Sequence, residues 1–389
     1  MIREARILFI DFTNYEDYPI GGYLSFAKNM IDAFGSQLAL VGISTNPDEP
    51  VGQWFKKNIG GIEFDFFALA RYKKSKTKHI IPDRLATYFL IKLYNRRINQ
   101  IEIKNVFIQR QEILLALRTL SNSICFSFAG MENPLSISKY WYGKLLARYF
   151  ERYFFKELSI AKVILARGDD ASIDGLIRRS GGTISPGTVI KFPTRINTEI
   201  FRPLSKEEAR LGLSLPLTHV IVVTTGRLAE FKGWRFMIDC FTDLCATLPD
   251  SRLYFIGEGE AFNEIKAYIS ECNMERYVIL GGKKSQQEVA LYLNAADLFI
   301  MGSMKEGWST SLMEAIACGV PSCVTDFSSA ADIVIDGVNG YVVSAGDRTR
   351  FVEYMLKSLK LFRPVRNDHV VRYSTRNLKT DILKYWNLS

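Results

Sequence analysis

Short apolar runs separated by longer amphipathic stretches repeat along most of this chain. In the first half, apolar runs predict strands at Arg6 to Phe12, Leu38 to Ser44, Ile62 to Ala68, Val106 to Gln109, Ile124 to Ala129, Lys162 to Ala166 and Thr188 to Phe192. Helical periodicity fills Tyr23 to Phe34, Asp83 to Gln100, Gln111 to Leu120, Ser138 to Leu158 and Ala171 to Arg178. Brief apolar strands between amphipathic helices predict a mostly parallel sheet covered on both faces.

The rhythm breaks from Phe192 to Leu217, where Pro193, Pro203 and Pro216 surround a short charged segment. The interdomain connection is expected there. The pattern then restarts with strands at Val220 to Thr224, Arg252 to Ile256, Tyr277 to Leu280 and Ala296 to Gly302. Helices are expected at Trp234 to Leu248, Ala261 to Cys272 and Gln286 to Asn294, and again after Glu306. A basic, aromatic tail, Arg348 to Ser389, reads as helical and long enough to cross back and brace the first domain. The fold class is therefore α/β, with two Rossmann-like, doubly wound domains. The expected limits are 1–200 and 218–365, with 366–389 as the returning tail. Such sheets bind ligands outside the carboxyl ends of their strands, so the cleft between the two domains is the expected active site.

Bulk properties narrow the class. The chain has 389 residues, 48% of them apolar, which suits two ordinary domains with real cores. No run reaches the ~18 apolar residues of a membrane helix, and Ile7 to Ile10 is too short for a signal-peptide core. Six cysteines without a Cys-x-x-Cys pair read as buried free thiols, which fits a reducing cytoplasm. Net charge is +9 and uneven: Arg71 to Lys104 carries ten Lys or Arg against Asp83 and Glu102. A second basic, aromatic stretch runs from Lys139 to Lys156. Basic and aromatic residues at helical spacing suit a surface resting on an anionic membrane, or a solvated face over a packed aromatic stripe. No nucleic-acid-binding module accompanies the charge.

Chemistry concentrates in Glu306-Gly307-Trp308-Ser309-Thr310-Ser311-Leu312-Met313-Glu314. An apolar strand runs into a polar turn holding Glu306, and a helix follows with Glu314 in its second turn. The start of that helix offers backbone N–H groups to an anion. Those of Gly307, Trp308 and Ser309 are expected to face a sugar or phosphate, with Thr310 beside them. Glu314 can accept hydrogen bonds from ribose hydroxyls, and Glu306 can hold hexose hydroxyls. A helix cap or surface charge is the bland alternative for either glutamate. Gly226-Arg227-Leu228-Ala229-Glu230-Phe231-Lys232-Gly233 places a guanidinium and an ammonium around a glycine-framed turn. Arg227 and Lys232 can grip a diphosphate without a metal. Gly21-Gly22, at the first strand-to-helix switch, allows close phosphate approach or makes a plain tight turn. Gly257 belongs to a turn that lacks the third glycine of a dinucleotide loop, so it is expected to line the nucleotide pocket. None of the three histidines lies in a motif, and Asp169-Asp170 reads as a helix cap. No metal site and no cofactor are expected, only a nucleotide-diphosphate sugar, UDP- or GDP-linked, as donor substrate.

These motifs resemble glycosyltransferase family 4, retaining enzymes of the GT-B fold. The likeness is strongest from Thr225 to Val343. It rests on Gly226-Arg227 through Lys232-Gly233, on Glu306 and Glu314 followed by Ala315, Ala317, Gly319 and Pro321, and on Gly337-Val338-Asn339-Gly340. The resemblance implies that the second domain binds the nucleotide sugar and that Arg227 and Lys232 neutralise the leaving diphosphate. It implies that Glu314 binds ribose, that Glu306 contacts the sugar, and that a saccharide or lipid-linked acceptor binds the first domain. Transfer then keeps the anomeric configuration, in bacterial surface glycan synthesis at the cytoplasmic face of the membrane. The family's first-domain histidine is replaced here by Ala129; Glu132 and Asn133 are acceptor-site candidates nearby. That gap keeps a non-catalytic nucleotide- or partner-binding scaffold open, and the scaffold is also shared by sugar-nucleotide epimerases.

Overall fold

The structure, a computed structural model, describes residues 6–19, 21–74, 82–117, 123–128, 133, 135–136, 141–366 and 368–388, the side chains of 141–143 excepted. The chain divides into two compact units, Met1–Pro193 with Arg376–Ser389, and Thr194–Thr375.

The first unit runs β1 (Ile7–Ile10), α1 (Gly22–Phe34), β2 (Leu38–Ser44), β3 (Trp54–Ile59), β4 (Ile62–Arg71), α2 (Asp83–Ile98), β5 (Asn105–Ile108) and α3 (Gln111–Ala116). It continues with β6 (Ser123–Phe128), α4 (Trp141–Leu158), β7 (Val163–Ala166), α5 (Asp170–Arg179) and β8 (Val189–Lys191). Its sheet has the order β3-β4-β2-β1-β5-β6-β7-β8. All pairings are parallel except β3 with β4. That hairpin closes through Gly60 and Gly61, at φ +60° and +85°, the left-handed pair that a two-residue turn between twisted strands requires. Side chains alternate strictly across β1: Leu8 and Ile10 join the core under α2 to α5, and Ile7 and Phe9 join the core under α1. Burial on both faces explains why the central strands read as unbroken apolar runs.

The second unit runs α6 (Lys206–Gly212), β9 (Val220–Thr225), α7 (Trp234–Thr247), β10 (Ser251–Ile256), α8 (Phe262–Glu271), β11 (Val278–Gly282) and α9 (Gln286–Ala295). It continues with β12 (Leu298–Met301), α10 (Thr310–Ala317), β13 (Ser322–Thr325), α11 (Ala330–Ile333), β14 (Gly340–Val343), α12 (Arg348–Ser358) and α13 (Asp368–Arg372). The six parallel strands lie in the order β11-β10-β9-β12-β13-β14, the doubly wound order of a dinucleotide-type fold. Two Rossmann-like units, as the apolar rhythm calls for, are thus present.

The division falls at Pro193, before the expected limit, because the proline-rich connection packs rather than links. Ile196 and Phe201 are buried in the second core. Arg210, itself buried, donates to the carbonyls of Ala295, Leu217 and His219 and to Asp297. From the tail, α14 (Leu378–Trp386) packs on the α1 face of the first unit. There Trp386 is fully buried and its Nε1 donates to Ser123 Oγ at 2.8 Å. Among the described residues no helix is long and apolar enough to cross a membrane. All six cysteines are free. Asp169 caps α5, accepting from Ser172 N at 3.0 Å.

Candidate functional site

In the second unit the strand order reverses at β9, between β10 and β12. Loops leaving β9 and β12 therefore flank the switch point where sheets of this kind hold ligands. Glycines let these loops touch backbone to backbone. A Cβ on Gly233, at φ +67°, would sit 1.9 Å from the carbonyl oxygen of Gly302. One on Gly257 would sit 1.8 Å from Gly226 O. The β9 and β10 loops are zipped by Gly226 N to Ile256 O and Leu228 N to Glu258 O, both 3.0 Å. Gly257, expected to contact ligand, is thus required first by this close packing.

The β9 loop presents Lys232 and the β12 loop presents Glu306, and their side chains form an ion pair. Both are largely buried, with 19% and 14% of the side chain exposed. Ser303 Oγ donates to the same carboxylate at 2.8 Å. Arg227, five residues before Lys232, turns outward to an exposed pair with Glu260 at 2.9 Å. A cavity of about 20 Å³ beside them is lined by Thr225, Gly226, Arg227, Lys232, Trp234 and Ser303, among others. Thr225 Oγ1 and Trp234 Nε1 are buried without a hydrogen-bond partner.

Behind Glu306, Trp308 is buried and meets Tyr373 edge-on at 5.6 Å. Ser309 caps α10 by accepting from Leu312 N at 3.3 Å, while its own N–H donates to Ser329 Oγ at 3.3 Å. This N–H, expected to face a ligand, is occupied inside the unit. Ser328 Oγ bonds the carbonyls of Glu306 and Gly307, fixing the turn. Thr310 opens α10 on the exposed side. Ser311 Oγ lies 3.3 Å from the place a Gly226 Cβ would take. Glu314 is one turn further along the same side of the helix. Desolvation alone pushes its carboxyl up to about 8, because no cation or donor among the described residues offsets burial. An unpaired acid at this place is ready to accept hydroxyl donors.

Lys232, Glu306 and the α10 face carrying Glu314 are therefore brought around the Gly226 loop. Arg227 shares the loop but points to Glu260. Gly21 and Gly22 lie in the first unit, where they open α1 without a side-chain cap and with nothing within 4 Å of either Cβ position. Asn133 is buried and tied to Ala147 O at 2.8 Å and Leu135 N at 3.0 Å, a local structural role. Ala129 and Glu132 lie outside the described residues.

Sequence reasoning missed Ser303 and Glu260 as partners of the site charges. It also missed a buried network at the first unit's own switch point. Arg110 Nε donates to Asp11 Oδ1 at 2.5 Å and Gln109 Nε2 to Asp11 Oδ2 at 3.1 Å. Arg167 donates to Gln109 Oε1 at 2.7 Å and Ser127 Oγ at 3.0 Å. The available signal was a polar residue directly after each apolar strand: Asp11 after β1, Gln109 after β5, Arg167 after β7. Among the described residues no group of three or more His, Cys, Asp or Glu could hold a metal ion.

Residues 205–368 match the family described as Glycosyl transferases group 1. Similar curated proteins include an Escherichia coli UDP-Gal:alpha-D-GlcNAc-diphosphoundecaprenol alpha-1,3-galactosyltransferase, 22% identical over 53% of this chain and 52% of its own. Another is the N-acetyl-alpha-D-glucosaminyl L-malate synthase of Bacillus anthracis, 29% identical over 36% of each chain. The chain thus spans about half the length, or less, of these relatives. In fold it is similar to Anabaena HepE in complex with UDP, at 14% identity and a TM-score of 0.71, covering 98% of this chain and 99% of that one. It is also similar to sucrose-phosphate synthase from Thermosynechococcus elongatus, at 15% identity and a TM-score of 0.68, covering 98% and 95%. The protein accordingly has the two-Rossmann-unit GT-B architecture, with a second unit related to the group 1 glycosyl transferases.

Proposed function

We propose that this protein is a retaining, metal-independent glycosyltransferase of family 4. It moves a hexose from a UDP- or GDP-linked sugar to a saccharide or lipid-linked saccharide in bacterial surface glycan synthesis. The observation that carries the reading is the Lys232–Glu306 pair at the second unit's switch point, beside the Gly226 turn. The name of the Escherichia coli relative supports the same class: galactose transfer from a UDP donor to a diphosphoundecaprenol-linked sugar.

As the bond from sugar to diphosphate loosens, negative charge grows on the leaving group. Lys232, held in place by Glu306, and Arg227, freed from an exposed carboxylate, then act more strongly on the transition state than on the ground state. Glu306, relieved of part of its pairing, holds the hexose hydroxyls and the positive charge at the anomeric carbon. Glu314 accepts from the ribose. Attack on the leaving-group face keeps the configuration, with a β-phosphate oxygen taking the acceptor proton. The first unit binds the acceptor, and Gly21 and Gly22 at the start of α1 let its backbone approach a donor phosphate.

The test is turnover and binding across a panel of UDP- and GDP-sugars, with and without lipid-linked acceptor. Glu306→Gln is expected to lower turnover at least about a hundredfold, the scale of losing one charge-stabilising group. If no donor binds or turns over, or if that variant matches wild type, the proposal fails. An epimerised sugar nucleotide formed without acceptor would replace it with isomerase chemistry.

A further inference from the structure

Two helices of the first unit leave apolar side chains in solvent in the same arrangement. On α2, Leu85, Phe89 and Leu93 are exposed at four-residue spacing, Leu93 by 70%. On α4, Leu145, Tyr149 and Tyr153 repeat the spacing, Tyr149 being 73% exposed. Residues four apart on a helix stack into one ridge, so each helix carries an outward apolar ridge. Each ridge has a basic row one residue earlier in sequence, turned by about 100°. On α2 the row holds exposed Arg84, Lys92 and Arg96; on α4 it holds exposed Lys144, Arg148, Arg152 and Lys156.

Both helices face the same way. Their buried sides, Ile91 and Ile98 on α2 and Phe154, Phe155 and Leu158 on α4, belong to one core layer on one face of the sheet. The short helix α3 packs against both. The opposite face is closed by α1 and α14. Acids are sparse on the two helices, and Glu151 is paired with Arg179.

We propose that the α2–α4 face of the first unit docks on an anionic lipid bilayer, with the two apolar ridges at the acyl boundary and the two basic rows on lipid phosphates. Lys and Arg stems can lie along the ridges while their charges reach the headgroups, and tyrosines suit that wet–apolar boundary. Charge complementarity selects an anionic surface, each Lys or Arg near it adding about fivefold to binding. This surface is independent of the donor chemistry and does not require it.

The experiment is flotation of the full chain with vesicles of phosphatidylcholine, with and without phosphatidylglycerol, at low and raised salt. Wild type is expected to float with the anionic vesicles and to detach as salt rises. Removing four charges (Lys92→Gln, Arg96→Gln, Arg148→Gln, Arg152→Gln) is expected to weaken binding several-hundredfold, at about fivefold each. An independent set (Phe89→Ser, Leu93→Ser, Tyr149→Ser) is expected to weaken flotation on anionic vesicles at low salt by at least about tenfold, the scale of losing the burial of one such apolar side chain. Lys28→Gln with Lys384→Gln, on the opposite face, is expected to bind as wild type. Failure to float on anionic lipid, salt-independent binding, or wild-type binding by both α2–α4 variants overturns the proposal. Vesicles of pure lipid exclude a protein partner as the occupant, and no sugar donor is needed.

Discussion

Replacing Glu314 by glutamine tests the reading of the second unit's site at its most sensitive atom. The carboxyl is raised from 4.5 to about 8 by desolvation. In the unfolded chain it is the stronger acid, so between pH 4.5 and 8 unfolding releases a proton, and stability falls as pH rises through that window. A gap of about 3.5 units corresponds to about 5 kcal/mol at 1.36 kcal/mol per unit. Part of the side chain still meets solvent, where water screens the charge, so about 2–3 kcal/mol is the expected effect. Glutamine mimics the protonated acid without titrating. Glu314→Gln is therefore expected to match wild type at pH 5 and to exceed it by pH 8, by about 4–12 °C in Tm at 2–4 °C per kcal/mol. If ribose hydroxyls donate to the carboxylate, donor binding lowers its pKa and releases a proton. Donor affinity should then rise with pH by up to about tenfold per unit below 8 and level off above it. The variant should bind more weakly, with no such slope. Thermal melts and calorimetric donor titrations from pH 5 to 9 give both readings. Parallel Tm–pH curves for the two proteins, or a donor affinity of wild type indifferent to pH, would refute the reasoning.

Three further substitutions probe other parts of the structure. Lys232→Met keeps the stem but leaves the Glu306 carboxylate without its cation; donor turnover should drop about 10²–10³-fold, and a change below threefold would count against the role given to Lys232. Gly233→Ala must place a Cβ against the Gly302 carbonyl at positive φ; a loss of at least about 3 kcal/mol is expected from strain and clash together, read by urea unfolding, and a loss under 1 kcal/mol would mean the loops are not locked. Trp386→Ala empties a buried site on α14 and orphans the Ser123 contact; about 3–5 kcal/mol should be lost, and an unchanged melt would mean that α14 does not hold the first unit together.

The parts legible from sequence are those set by local rules. Strand positions such as Leu38 to Ser44 and Val220 to Thr225 follow from uninterrupted burial on two faces, which needs no knowledge of neighbours. The turn carrying Glu306 and the helix carrying Glu314 follow from capping and glycine signals within a few residues. The strand β3 is not legible in the apolar pattern, despite the two-residue hairpin signal Gly60-Gly61 before Ile62, because its edge position leaves Lys56 and Asn58 exposed. Prolines mark a break in periodicity, not a break in packing: Arg210 also bonds the Ala295 carbonyl and the Asp297 carboxylate, 85 and 87 residues along the chain, which no local window contains. For the same reason the sequence around Lys232 and Glu306 shows two ligand-facing charges but not that each is the other's partner across 74 residues.

The two units use one topology in opposite ways, and this bears on which of them can take a donor. In the first unit the switch point at β1 and β5 is filled by the protein itself: Asp11 is fully buried and satisfied by Gln109 and Arg110, and Arg110 stacks over Tyr23 of α1 at 4.2 Å. Burial lowers the Arg167 guanidinium to about 10, yet it stays charged at neutral pH, a second cation beside Arg110. The contacts around Asp11 resist displacement by a charged ligand, since each one lost leaves a buried partner unpaired, although Arg167 Nε in the same network is buried without a hydrogen-bond partner. In the second unit the corresponding place is kept narrow by glycines rather than filled by side chains. Its Thr225 hydroxyl and Trp234 ring N–H are unpaired, and its Glu314 is held against its preferred charge. A ligand rich in hydroxyls and phosphate oxygens would supply partners for these groups, whereas at the first unit's switch point it would have to displace the contacts that hold Asp11. The unpaired Thr225, Trp234 and Glu314 groups thus support the proposal that the donor binds the second unit, alongside the motifs.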